Sequence, residues 1–166
     1  MRSCWWLAVC FVVIGCGKFT PNAKPWPATI ASFNNFTPDQ QTRFKSFVSD
    51  LNTRSGHDVF LLDANSGNYP ITVTVVAPPT ASPNRAGYSI RNDEKCDVQI
   101  SNFLFDADKV DYQESVLIHE LGHCSGLGHT TKLGDVMYPT TAKFASYTPV
   151  ELTSFVQSLM SAISGH

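Results

Sequence analysis

No cluster of basic residues occurs anywhere in this 166-residue chain, and its 12 Lys and Arg stand against 14 Asp and Glu for a formal net charge of −2. A nucleic-acid partner, which needs a cationic patch or stripe, is not expected. No bulk electrostatic partner of either sign is implied. An apolar run of the ~20 residues that a membrane-spanning helix requires is also missing; the run from Trp5 to Ile14 stops well short. No internal repeat is found. Charged residues make up only 16% of the chain and hydrophobic ones 43%, so it is not of the disordered class. What remains is a chain long enough for one core and too short for two ordinary domains.

The apolar run belongs to targeting rather than to the fold. Arg2 supplies a positive start, and Trp5 to Ile14 has the length of a secretory signal. Its ending, Val13-Ile14-Gly15-Cys16, resembles a bacterial lipobox. That resemblance implies removal of residues 1–15 and multiple acylation of Cys16, which would hold the protein stably at an envelope membrane, outer membrane or cell surface. The alternative is ordinary cleavage nearby and secretion, with Cys16 lost or left as a spare thiol. Residues 16–26 read as a tether punctuated by Pro21 and Pro25, and residues 27–166 as one domain. Cys4 and Cys10 leave with the signal. With lipid on Cys16, Cys96 and Cys124 remain, either as a disulfide in an oxidising compartment or as two buried thiols.

Three helices are signalled by one device. Thr37-Pro38-Asp39-Gln40 offers a capping hydroxyl, a proline at the first helical position and a glutamine three residues after the cap. Phe44, Phe47, Val48 and Leu51 follow at helical spacing, and Gly56 is the expected stop. Asp111 with Glu114 repeats the layout ahead of Leu117 and Leu121. Thr148-Pro149-Val150-Glu151 repeats it again ahead of the stripe Leu152, Phe155, Val156, Leu159 and Ile163. Strands are expected at 29–33, 59–62, 71–76, 87–90 and 97–100, from period-two or short apolar runs bounded by turn residues. A helix inside one strand-to-strand connection predicts a sheet part parallel and part antiparallel.

The chemistry lies in His119-Glu120-Leu121-Gly122-His123-Cys124-Ser125-Gly126-Leu127-Gly128-His129. Positions four apart share a helix face, so His119 and His123 can offer two imidazoles to one ion. Glu120 can reach a water on that ion without binding the ion itself. A zinc ion that does chemistry needs three protein ligands and an open position. Gly126, free to take a left-handed conformation, ends the helix and lets His129 return as the third ligand.

HExxHxxGxxH followed by Met137 in Val136-Met137-Tyr138-Pro139 resembles the metzincin zinc peptidases, and the Met-Tyr-Pro string is most similar to their matrixin branch. Trp26-Pro27 and the Asn35–Asp39 helix entry add to the likeness. The resemblance implies an α+β metzincin fold: a twisted, mixed five-stranded sheet with two helices, plus a small C-terminal helical subdomain. It implies one catalytic Zn2+ on His119, His123 and His129, with Glu120 as general base. Met137 would form a floor beneath the imidazoles, and Tyr138 and Pro139 would wall the S1′ pocket. An outer strand near Ala86–Arg91 would pair with an extended polypeptide substrate. A monomeric zinc endopeptidase is therefore expected.

Several family features are not recognised. The chain shows no propeptide or cysteine-switch string, and no pattern of structural-zinc or calcium loops; Asp63–Asn68 reads as a turn, so no calcium is assigned. His57 and His166 read as solvated. Two alternatives stand beside the main reading. In one, Glu151 is the third ligand of a gluzincin-type peptidase; in the other, the protein is a non-enzymatic zinc-binding surface lipoprotein.

Overall fold

The protein's structure, a computed structural model, describes residues 27–62, 69–77, 85–105, 110–132, 135–139 and 149–164. The leader, the tether, Cys16, the turn at 63–68, Thr148 and His166 lie outside them. Five strands, β1 (Ala28–Asn34), β2 (Phe60–Leu61), β3 (Pro70–Val76), β4 (Gly87–Arg91) and β5 (Cys96–Ser101), form one sheet in the order β2-β1-β3-β5-β4. Helix α1 (Pro38–Ser55) follows β1. Helix α2 (Val110–Cys124) comes after β5 and a 3-10 turn, Asn102–Phe105, and α3 (Pro149–Ser164) is the last of the described elements. The α+β architecture and mixed sheet expected from the sequence are what forms. The pairs β1–β2, β1–β3 and β3–β5 are parallel, and only β4 runs antiparallel to its neighbour β5.

Alternation along the strands sets the core. Ile71, Val73 and Val75 of β3 are buried, and the register places them beside Cys96, Val98 and Ile100 of β5. Residues paired across a ladder share a face. In β4 the residues opposite Ile100, Val98 and Cys96 are Gly87, Ser89 and Arg91. The edge strand thus turns a glycine, a hydroxyl and a guanidinium toward the side where its neighbours turn aliphatic groups. Its own apolar residues, Tyr88 and Ile90, face outward at 37% and 51% exposure.

Helix α1 starts as its sequence predicts. The Thr37 hydroxyl accepts from the Gln40 amide, and the Gln40 side chain accepts from the Thr37 amide. Gly56, at a φ of 70°, closes the helix in the left-handed region that glycine tolerates. Edge-to-face contacts among Phe33, Phe36, Phe44 and Phe105 fasten the helix entry to the end of the sheet. Strand β2 is shorter than the expected 59–62, and a helix side chain holds the backbone at its start. Asn52 Oδ1 accepts from the amides of Val59 and Phe60, and Asn52 Nδ2 donates to the Phe60 carbonyl at 2.8 Å.

Asp111 lies inside helix α2, which is described from Val110 onward, one residue before the expected cap. Glu114, expected to close a capping box there, pairs with Arg54 of α1, which also holds Asp50. Helix α2 packs against β4 and β5, and a disulfide joins Cys124, its last residue, to Cys96 at the start of β5. Both cysteines are buried.

The disulfide spans a sequence separation of 28, and closing a loop of that size restricts the unfolded chain by about 3–4 kcal/mol. A Cys96→Ala/Cys124→Ala protein is expected to lose about 3 kcal/mol in urea unfolding. In denatured wild type, mass spectrometry should find Cys96 and Cys124 unalkylated until reductant is added; alkylation without reductant would contradict the bond.

Candidate metal centre

Leu117, Ile118 and Leu121 bury α2 against the sheet, and His119 and His123 leave it one turn apart. The helix ends where Gly126 adopts a φ of 102°, with its amide bonded to the His123 carbonyl at 3.0 Å. The Leu127 amide returns to the Gly122 carbonyl at 3.0 Å. This turn brings His129 back over the helix end. His123 Nε2 lies 3.1 Å from His119 Nε2 and 3.2 Å from His129 Nε2. Among the described residues these three histidines are the one cluster able to hold a metal ion. Glu151, the alternative third ligand, is not part of it, and His57 is exposed elsewhere.

The positions of two protons explain the cluster. His119 Nδ1 donates to the Val136 carbonyl at 2.7 Å, and His123 Nδ1 donates to the Leu127 carbonyl at 2.9 Å. A carbonyl can only accept, so the single proton of each neutral imidazole sits on Nδ1 and Nε2 is left as a lone pair. Burial keeps both rings neutral: it pushes His119 down to about 4 and lowers His123 as well, and each is lowered further by neighbouring imidazole charge. Two lone pairs 3.1 Å apart repel unless a cation lies between them. Tetrahedral zinc with Zn–N bonds of about 2.0–2.1 Å separates its ligand nitrogens by about 3.3 Å. The donor set and its spacing fit that ion.

Glu120 is not part of this ligand set and is buried. Burial pushes its carboxyl up to about 7, while a hydrogen bond from Ser89 and the positive charge of Arg85 pull it back. Met137 is buried beside the helix. A Cβ at Gly122 would stand 2.4 Å from Met137 Sδ, so only glycine lets the Met137 segment come this close to α2. The segment is braced by the Met137 amide donating to Asp135 Oδ1 at 3.0 Å and by the Thr130 amide donating to the Met137 carbonyl at 3.0 Å. Its approach is what delivers the Val136 carbonyl to His119. Tyr138 is half-buried and Pro139 exposed just beyond it.

Ser89, Gly87, Gly122 and the two accepting carbonyls were not singled out by the sequence. Only Gly122 carried any signal, as a glycine inside a helical run, where it costs stability unless something packs there.

The sequence model of the family described as Matrixin matches residues 35–154, well over half of the chain. No curated protein sequence matches. Among solved structures, archaemetzincin from Methanopyrus kandleri is similar, with a TM-score of 0.52 over 82% of this chain and 94% of that one. The identity is 14%, so this likeness speaks for the fold alone.

Two outcomes follow from the geometry. His129→Ala is expected to lower zinc affinity sharply in competition titrations, while Glu151→Ala leaves it unchanged; the reverse would move the third ligand to α3. Gly122→Ala should cost about 1–3 kcal/mol by overpacking and weaken zinc binding through the displaced Val136 carbonyl, measured by unfolding and by the same titration.

Proposed function

The chain belongs to the matrixin family and is a zinc metallopeptidase, and from that premise we propose that it is an endopeptidase cutting polypeptides outside the cytoplasm. The observation that carries this reading is the convergence of the His119, His123 and His129 Nε2 atoms, with Glu120 adjacent but outside the ligand set. Three imidazoles leave a tetrahedral position open, as a catalytic site requires and a structural site does not. The ion that they would hold supplies Lewis acidity, acidifying water and polarising the scissile carbonyl.

The chain's own groups do the rest. Glu120 takes a proton from the attacking water: the water O–H bond breaks as a bond to a Glu120 oxygen forms. Glu120 then gives that proton to the leaving amine as the C–N bond breaks. Met137 packs beneath the imidazoles as a floor, and Tyr138 and Pro139 wall the S1′ pocket. Strand β4 lies at the edge of the sheet, and an extended substrate adds to it as a further strand.

The export half of the proposal rests on the leader and on Cys16, with lipid anchoring to a bacterial envelope membrane and secretion as its two forms. The buried Cys96–Cys124 disulfide supports it, since such bonds persist in oxidising compartments. No helix among the described residues is long and apolar enough to cross a membrane. A protein that binds zinc without catalysis has no need of the Glu120 carboxylate, and family membership speaks against that reading.

A quenched-peptide library is expected to be cleaved by the zinc-loaded protein, silenced by chelator and restored by added zinc. Glu120→Gln should retain zinc and lose about 10²–10⁴-fold in kcat. Full turnover in that variant would refute the role given to the carboxylate.

A further inference from the structure

We propose that the outward face of strand β4 selects the substrate, with Arg85, stacked on Tyr88, receiving an acidic side chain and Tyr88 and Ile90 receiving apolar ones. The inference rests on the peptidase reading above and deepens it, assigning a substrate class to an edge used there only as a backbone ladder.

Strand β4 pairs with β5 on one side, and no described strand pairs with its other side. The Ser101 amide donates to the Ala86 carbonyl at 2.9 Å, one step beyond the pair of Gly87 with Ile100. Backbone bonding alternates along an antiparallel ladder. Tyr88 and Ile90 therefore bond toward β5, and Gly87 and Ser89 turn their N–H and C=O groups to the open edge. A chain added there bonds to Gly87 and Ser89. It meets Tyr88 and Ile90 in non-hydrogen-bonded pairs, where facing side chains come closest. A Cβ at Gly87 would lie 2.8 Å from Glu120 Oε1, so the added chain passes the carboxyl at this point of the strand.

Gly87 faces α2, which leaves Tyr88 and Ile90 on the other side of the strand. Leu62, Tyr88 and Ile90 are the exposed large hydrophobic residues among the described ones, and two of the three sit here. Natural edge strands are commonly blunted by lysine, proline or a bulge. Strand β4 contains neither residue, and its register with β5 is unbroken. Such an edge is suited to receiving another strand. Arg85 adds a charge to it. Its guanidinium carbon lies 4.1 Å from the centre of the Tyr88 ring, and its carbonyl accepts from the Ser101 hydroxyl, which holds the residue to β5. Among the described residues no carboxylate pairs with it. A guanidinium stacked on a ring keeps its in-plane N–H donors for another group, and a carboxylate matches them with two parallel bonds.

Antiparallel addition is the more stable arrangement, and it runs the substrate from Ile90 toward Arg85. Side chains sharing the outward face are two residues apart. The pattern selected is therefore apolar-x-apolar-x-acidic, with the acidic residue toward the substrate's C-terminus.

Three quenched peptides of this pattern, differing only in Glu, Gln or Lys at the last position, test the assignment. Zinc-loaded wild type, Arg85→Gln and Arg85→Glu are assayed, with bound zinc measured by elemental analysis. Wild type is expected to favour Glu over Gln by about 5-fold in kcat/KM, through KM, and less so at high salt. Arg85→Gln should lose the preference, and Arg85→Glu should favour Lys. Equal kcat/KM for Glu and Gln in wild type would overturn the proposal, as would a preference that survives Arg85→Gln. Sedimentation should find a monomer; a dimer dissolved by Ile90→Lys would give the edge to a second copy and overturn it too. If wild type cuts none of the peptides, the peptidase reading fails by itself. The same sequences carrying a single dye are then compared by fluorescence anisotropy. Tighter binding of the Glu peptide, lost in Arg85→Gln, supports the assignment, and equal binding overturns it.

Discussion

Two backbone carbonyls govern the site. Val136 and Leu127 take the Nδ1 protons of His119 and His123, and so decide that both Nε2 atoms present lone pairs. Burial withholds a second proton from either ring. With His129 added, the arrangement complements a cation and little else, because bare lone pairs at this distance repel one another. The carbonyls therefore matter as much as the histidines they orient.

The rest of the fold delivers those carbonyls. Leu127 arrives because Gly126 allows the chain to reverse directly after the helix. Val136 arrives because Gly122 has no Cβ to fend off Met137. The disulfide fixes the same end of α2 to β5, one residue past His123. On the opposite side of the helix, the edge strand uses small and polar residues to admit Glu120. Each constraint is short-ranged, and together they place the site's side chains.

Much of this was legible in the sequence, for identifiable reasons. Strand β3 keeps strict alternation, and α1 and α3 both begin at a proline preceded by threonine, so the order of elements and the mixed sheet could be read. The ligand histidines could be read because they lie within eleven residues, where helix geometry and one glycine turn suffice to relate them. Where tertiary contacts decided the outcome, the reading faltered. Asn52 of α1 binds the backbone of Val59 and Phe60 at the start of β2, and Arg54 pairs with Glu114. Parity made Cys96 and Cys124 a candidate pair, but only the packing of α2 against β5 brings them within a Cα separation of 5.5 Å. In β4, alternation by itself would have turned Tyr88 and Ile90 inward, and nothing local marks Gly87 as the place where a Cβ would meet Glu120.

The most direct measurement is X-ray absorption at the zinc edge of the metal-loaded protein. Three imidazole nitrogens at about 2.0–2.1 Å and one light oxygen ligand are predicted, with the oxygen exchangeable. Fewer than three imidazoles, a sulfur ligand, or a closed shell with no exchangeable position would contradict the convergence on which the peptidase chemistry depends.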